Sequence, residues 1–208
     1  PPPAAAPLSS ATPAAQPITA TPAISASPQP DDADLALQIK IGQLIMAGVV
    51  GTELTDDARH IITNLHIGNI ILMGRNVDSP EQILALTRDV QVLSLASNGY
   101  AALIGTDQEG GLVQRLNSAS GFLPMPDAKT VGASLCPDAI RAYGQAVGGE
   151  LNSVGVNVAF APVLDVNSTP DNPVIGGLGR SFGATPEEVI QTAIPFMLGL
   201  HDAGVMAA

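Results

Sequence analysis

Short apolar segments that alternate with helical ones constrain this chain more than anything else in it. Asn69-Ile-Ile-Leu-Met73, Tyr100–Ile104, Val156–Ala161 and Val205–Ala208 are apolar at consecutive positions, so as strands they would be buried on both faces. Between them lie segments with helical spacing and recognisable starts. Thr55-Asp56-Asp57 reads as an N-cap with acidic first-turn residues, followed by Ala58, Ile61, Ile62 and Leu65, with Gly68 closing the helix. Ser79-Pro80 and Thr185-Pro186 each place a capping hydroxyl before a proline in the first helical turn. Further helices are predicted over Asp34–Ile45, leading into apolar Leu44–Val50, over Cys136–Val154, and from Thr185 to about Ala203. The pattern gives about five strands and four or five helices. Doubly buried strands joined by helices of 12–18 residues mean parallel βα units, hence an α/β fold.

Two architectures accept such units. One is the N-terminal portion of a (β/α)8 TIM-type barrel. The other is an open doubly wound sheet, which lacks its phosphate loop here: Gly148-Gly149 falls inside a helix, and no G-x-G-x-x-G follows a strand. Val205–Ala208 reads as a strand, and a domain rarely stops inside one, so Ala208 is expected to be a truncation point.

The first 30 residues differ in kind. They hold nine of the chain's 18 prolines and no charged residue. Proline at that density opposes helix and sheet alike, and few large apolar side chains are present to drive ordering. Residues 1–33 are therefore expected to be a disordered Pro/Ala/Ser/Thr-rich tether, and residues 34–208 the folded domain. Such a stalk suits an extracytoplasmic or secreted, surface-tethered protein with a signal or lipid anchor upstream; a cytoplasmic interdomain linker is the alternative. A net charge of −11 with eight Lys and Arg argues against nucleic acid or an anionic membrane as partner. No apolar run reaches the ~18–20 residues of a membrane span. A single cysteine, Cys136, excludes an internal disulfide, and no His/Cys/carboxylate grouping has metal-ligand spacing, so neither metal nor cofactor is expected.

Chemistry concentrates at three predicted strand exits, which face the same way in a parallel barrel. They carry Gly74-Arg75-Asn76, then Asp107-Gln-Glu-Gly-Gly-Leu-Val-Gln-Arg115, then Asp165-Val166-Asn167 leading on to Arg180. Carboxylates and arginines held there suit a polyhydroxylated ligand, because they hydrogen-bond hydroxyls in pairs. Bland roles compete for each residue. Glu109 orients the loop or touches ligand; Arg115 clamps the loop on Glu109; Asp165 pins its loop to backbone; Arg75 and Asn76 organise a turn. His60 and His66 lie away from the strand exits, and His201 precedes the last strand, on the wrong side for catalysis.

The run Asp107–Arg115 resembles the signature of glycoside hydrolase family 3, in the β-N-acetylhexosaminidase branch typified by peptidoglycan-recycling enzymes. The similarity continues through Gly68–Asn76, Phe160–Val166, Asp171–Ile175 and Gly179–Gly183, and covers roughly residues 36–208. The resemblance implies a retaining exo-acting β-N-acetylhexosaminidase with no cofactor. Asp107, Arg115 and Arg180 would bind the terminal sugar, Asp107 accepting from hydroxyls and Arg180 donating to oxygens. It also implies that the histidine acid/base and aspartate nucleophile fall beyond Ala208, leaving this stretch without a catalytic pair. A β-glucosidase-type member and a non-catalytic glycan-binding module are the alternatives. Two positions depart from the pattern: Leu112, where a basic residue is common, and Gly176-Gly-Leu-Gly179, a longer spacer before Arg180.

Overall fold

The computed structural model describes residues 32–208. The tether expected over residues 1–33 falls outside the described residues apart from its last two, which open the first helix. That helix, α1, spans Asp32–Gly42 and leads to β1, Met46–Gly48. Helix α2, Asp56–Thr63, starts where the hydroxyl of Thr55 accepts from the Ala58 amide at 3.3 Å. It does not run to Gly68. Asn64 caps it, and His66 takes a left-handed φ of 55° before β2, Asn69–Leu72. Ser79 caps α3, Pro80–Asn98, and Thr185 caps α6, Pro186–Asp202, both as the sequence predicts.

The third strand begins later than Tyr100. Helix α3 is followed by β3 at Ile104–Thr106. Side-chain amides substitute for a ladder just before it. Gln91 brackets the Ala102 N–H and C=O at 2.9 Å each, Asn69 accepts from the Leu103 amide, and Asn157 accepts from the Ile104 amide. With these groups met by side chains, and the Leu103 carbonyl accepting from the Ile70 amide of β2 at 2.9 Å, the regular strand starts only at Ile104. Beyond β3 the expected loop is a small antiparallel hairpin, β4 Gln108–Gly110 and β5 Val113–Gln114. Helix α4, Ala128–Ser134, was not foreseen either; α5, Pro137–Ser153, matches expectation. Strand β6 is confined to Val158–Ala159, and β7, Met206–Ala207, follows α6.

The main sheet runs β1-β2-β3-β6-β7, every neighbouring pair parallel. Spatial order thus follows chain order. A doubly wound sheet would reverse direction at a switch point, whereas a (β/α)8 barrel adds each strand beside the last. The fold is the barrel type. Its core lies between sheet and helices, on Ile62, Ile70, Leu72, Ile83, Ile104, Leu151, Phe196 and Leu200. Against the sheet's outer face α5 and α6 pack closely because Gly144, Gly148 and Gly199 carry no side chain where their backbones meet. Among the described residues no helix is long and apolar enough to cross a membrane.

Candidate functional site

All five strands release their chain at one edge of the sheet, and the chemistry collects there. Strand β2 passes into a single 3-10 turn, Gly74–Asn76. Asn76 is fully buried. Its amide donates to the carbonyls of Val49 (3.1 Å) and Gly51 (2.7 Å) and its oxygen accepts from the Met73 amide, stitching the exit of β1 to that of β2. Arg75 donates to the Val49 carbonyl as well. Both residues organise the turn. Replacing Asn76 by alanine leaves the Gly51 carbonyl and the Met73 amide without partners and the Val49 carbonyl with Arg75 alone, at a cost of ~3 kcal/mol. The urea midpoint should fall accordingly with an unchanged m-value; an unaltered midpoint would contradict this role.

Strand β3 continues through Asp107 into the hairpin. Gln108 turns inward and exchanges two hydrogen bonds with the backbone of Leu116, so it is wholly buried. Alternation then places Asp107 and Glu109 together on the opposite face, towards the mouth. Gly110 has φ 98°, and a Cβ there would lie 2.2 Å from the Pro126 carbonyl oxygen, so only glycine allows the turn at this point. Across the hairpin the Arg115 amide donates to the Asp107 carbonyl at 3.2 Å, which sets the two side chains next to each other. The Arg115 guanidinium accordingly binds Asp107, through Nε at 3.1 Å and Nη2 at 2.8 Å, and does not clamp Glu109.

Glu109 pairs with a distant partner instead. Arg180, 71 residues further on, donates Nε to Oε2 at 2.6 Å and Nη2 to Oε1 at 2.9 Å. The Glu109 hydrogen bonds are the main reason that the Arg180 guanidinium is held above its usual pKa, burial working against them. The longer Gly-rich spacer still brings Arg180 to Glu109 at the strand ends. It folds onto itself, the Gly179 amide donating to the Gly176 carbonyl and the Arg180 amide to the Ile175 carbonyl. Leu112 lies exposed at the hairpin tip, beside a separate depression walled by Gly176, Gly177 and Gly179.

Asp107, Glu109, Asp165 and Arg180 line one cavity of about 380 Å³, with Ile71, Phe160 and Pro162 as apolar walls. Asp165 does not pin its loop with its carboxylate; its backbone carbonyl does so, accepting from the Ser181 hydroxyl at 2.6 Å. A slightly larger cavity of about 410 Å³ lies among α4, α6 and residues 181–184. It is away from the strand ends and holds no ion pair, so the strand-end cavity is the better candidate. His60 is on α2, His66 bonds Asn98 ahead of β2, and His201 lies by the Ala207 amide ahead of β7's exit; none lines the cavity.

The arrangement suits binding. Both hydrogen bonds from Arg115 fall on Asp107 Oδ2, leaving Oδ1 as an acceptor with no donor among the described residues. Both bonds of Arg180 use Nε and Nη2, leaving Nη1 as a donor. Three carboxylates (Asp107, Glu109, Asp165) set against two guanidiniums (Arg115, Arg180) leave one negative charge, which suits a neutral polyhydroxylated ligand better than an anionic one. The sequence did not reveal the cross-chain pairing of Glu109 with Arg180. The alternation of Asp107, Gln108 and Glu109 was the available signal that both carboxylates share a face.

Residues 36–208 match the family described as the glycosyl hydrolase family 3 N-terminal domain. A β-hexosaminidase of Thiobacillus denitrificans is 37% identical over 169 residues, 78% of this chain and 45% of that protein. Among solved structures, a glycoside hydrolase family 3 β-N-acetylglucosaminidase from a Paenibacillus species superposes with a TM-score of 0.77 at 41% identity, covering 82% of this chain and 32% of that one. NagZ of Neisseria gonorrhoeae in complex with N-trifluoroacetyl-D-glucosamine superposes with a TM-score of 0.69 at 30% identity, covering 78% and 48%. The chain spans about half the length of the curated relatives it matches.

Proposed function

Because the chain belongs to glycoside hydrolase family 3, we propose that the whole protein is a retaining exo-acting β-N-acetylhexosaminidase that removes terminal GlcNAc from cell-wall glycans. The strand-end cavity is the part that holds the sugar. One observation carries this: the two arginine–carboxylate couples leave Asp107 Oδ1 as an acceptor and Arg180 Nη1 as a donor for a ligand in that cavity. A pyranose offers hydroxyls that both accept and donate, so it can use both atoms at once. Arg115 holds Asp107 in place from behind. The relatives' hexosaminidase names, and the glucosamine derivative bound by the Neisseria protein, support the choice of an N-acetylated sugar.

Retention of configuration requires a nucleophile and an acid/base, which form and then hydrolyse a covalent glycosyl-enzyme. Asp107 is spent in an ion pair and suits neither role. In this proposal the pair comes from residues outside these 208, and the stretch described here supplies the grip. The Pro/Ala-rich segment before it tethers the enzyme outside the cytoplasm.

The test compares 4-nitrophenyl β-N-acetylglucosaminide with the matching β-glucoside, hydrolysed by the whole protein. A kcat/KM at least ~10-fold higher for the acetamido sugar is expected, the usual scale for a pocket that recognises one extra group. Equal or reversed values would make the protein a β-glucosidase-type member instead. The 208-residue chain alone should bind GlcNAc and turn over neither substrate.

A further inference from the structure

We propose that Glu109 is a positioning residue, which sets the direction of the Arg180 guanidinium and through it the seat of the sugar. This rests on the reading of Arg180 as a sugar contact. Glu109 is the most enclosed charged group at the mouth, its side chain only 7% exposed, and both of its oxygens are spent on Arg180. A fork-to-fork pair fixes the plane of a guanidinium as well as its distance. With Nε and Nη2 held, the directions of the two Nη1 N–H groups are fixed as well.

The plain rival is a structural brace that ties the hairpin to the loop carrying Arg180. The backbone around the pair argues against it, because both segments are already fastened without the pair. On the hairpin side the Gly111 amide donates to the Met125 carbonyl at 3.0 Å. On the loop side the Lys129 amide donates to the Gly179 carbonyl at 3.0 Å. Asp127 is wedged between the two: a Cβ on Gly111 would lie 2.8 Å from its Cβ, and one on Gly179 would lie 2.9 Å from its Cγ. Residues 125–129 thus register the chain beside Glu109 with the chain beside Arg180. What the ion pair adds is the orientation of the guanidinium itself. Sequence placement agrees, since Glu109 shares a strand face with Asp107, and one short element aims both of the groups offered to the ligand.

The experiment uses the whole protein and four forms: parent, Glu109→Gln, Arg180→Lys and the double variant. KM and kcat on the β-N-acetylglucosaminide, inhibition by free GlcNAc, and the melting temperature are read for each. Arg180→Lys should raise KM and the GlcNAc inhibition constant ~10-fold or more, as expected for a lost charge-assisted hydrogen bond. Glu109→Gln should do nearly the same, with kcat changed far less than KM, because the arginine is present but no longer aimed. The double variant should be no worse than the worse single one, since Glu109 acts only through Arg180.

If Arg180→Lys weakens GlcNAc and Glu109→Gln does not, Glu109 has no positioning role while the sugar-binding reading stands. If Arg180→Lys leaves GlcNAc affinity intact, the sugar-contact reading falls first and this inference with it. Additive losses in the double variant, or a lower melting temperature with unchanged KM, would likewise overturn it. Should Glu109→Gln fail to fold, Glu109→Asp serves in its place. It keeps the charge but withdraws it by one methylene, and the same rise in KM is expected.

Discussion

Replacing Gly144 by valine should cost the protein about 3 kcal/mol and lower its melting temperature by roughly 6–12 °C. Helices α5 and α6 meet backbone to backbone. A Cβ on Gly144 would sit 2.3 Å from the Phe196 carbonyl oxygen, and one on Gly199 would sit 2.2 Å from the Arg141 carbonyl oxygen. Those atoms belong to helical backbone and cannot rotate away as a flexible side chain would. The helices must part, and Phe196, Leu200, Val147 and Leu151 then lose contacts at once. Gly149 supplies the control on the same helix. It is exposed and a Cβ there meets nothing within 4 Å, so Gly149→Ala should stabilise by ~0.5–1 kcal/mol through helix propensity alone. Urea midpoints moving in opposite directions for the two variants would support close packing of this helix pair. A Gly144→Val midpoint equal to that of the parent would refute it.

Such a contact is invisible in sequence, and the reason is general. Signals that depend on neighbours along the chain were legible. The hydroxyls of Thr55, Ser79 and Thr185 cap helices three residues ahead of them, and each was readable because cap and target lie within one turn. Strand order followed from alternation and helix length, which exclude most other connections. Strand limits were less legible. Residues 100–103 look like strand by apolar content, yet only the Leu103 carbonyl bonds the neighbouring strand, and the Ala102 and Leu103 groups are otherwise met by Gln91, Asn69 and Asn157, two of them more than 30 residues away. At the mouth, Asp107 and Arg115 were recognisable as ligand-facing types, but which arginine meets which carboxylate was not. That outcome depends on the hairpin placing residue 115 opposite residue 107, and on a loop delivering Arg180 across 71 positions.

The second large effect concerns the sugar's acceptor. In the whole protein Asp107→Ala should lower kcat/KM on the β-N-acetylglucosaminide by ~100-fold or more. Oδ1 can accept one or two hydroxyl protons, each bond to a charged group contributing ~1.5–3 kcal/mol, and 1.4 kcal/mol is a factor of about ten. The loss goes beyond those bonds, because the Arg115 guanidinium, about one-third exposed, is left without its counter-ion. Arg115→Ala should be milder, ~10-fold, since the acceptor remains and only its direction loosens. The order of these two effects is the informative part. If Asp107 holds the sugar and Arg115 holds Asp107, alanine at 107 must be the more damaging, and most of its effect should be on KM. If Arg115 itself touched the sugar and Asp107 merely held the arginine, the order would reverse. Steady-state kinetics on the two single variants therefore separate the gripping residue from its support, and a loss of less than threefold for Asp107→Ala would remove the aspartate from the sugar site altogether.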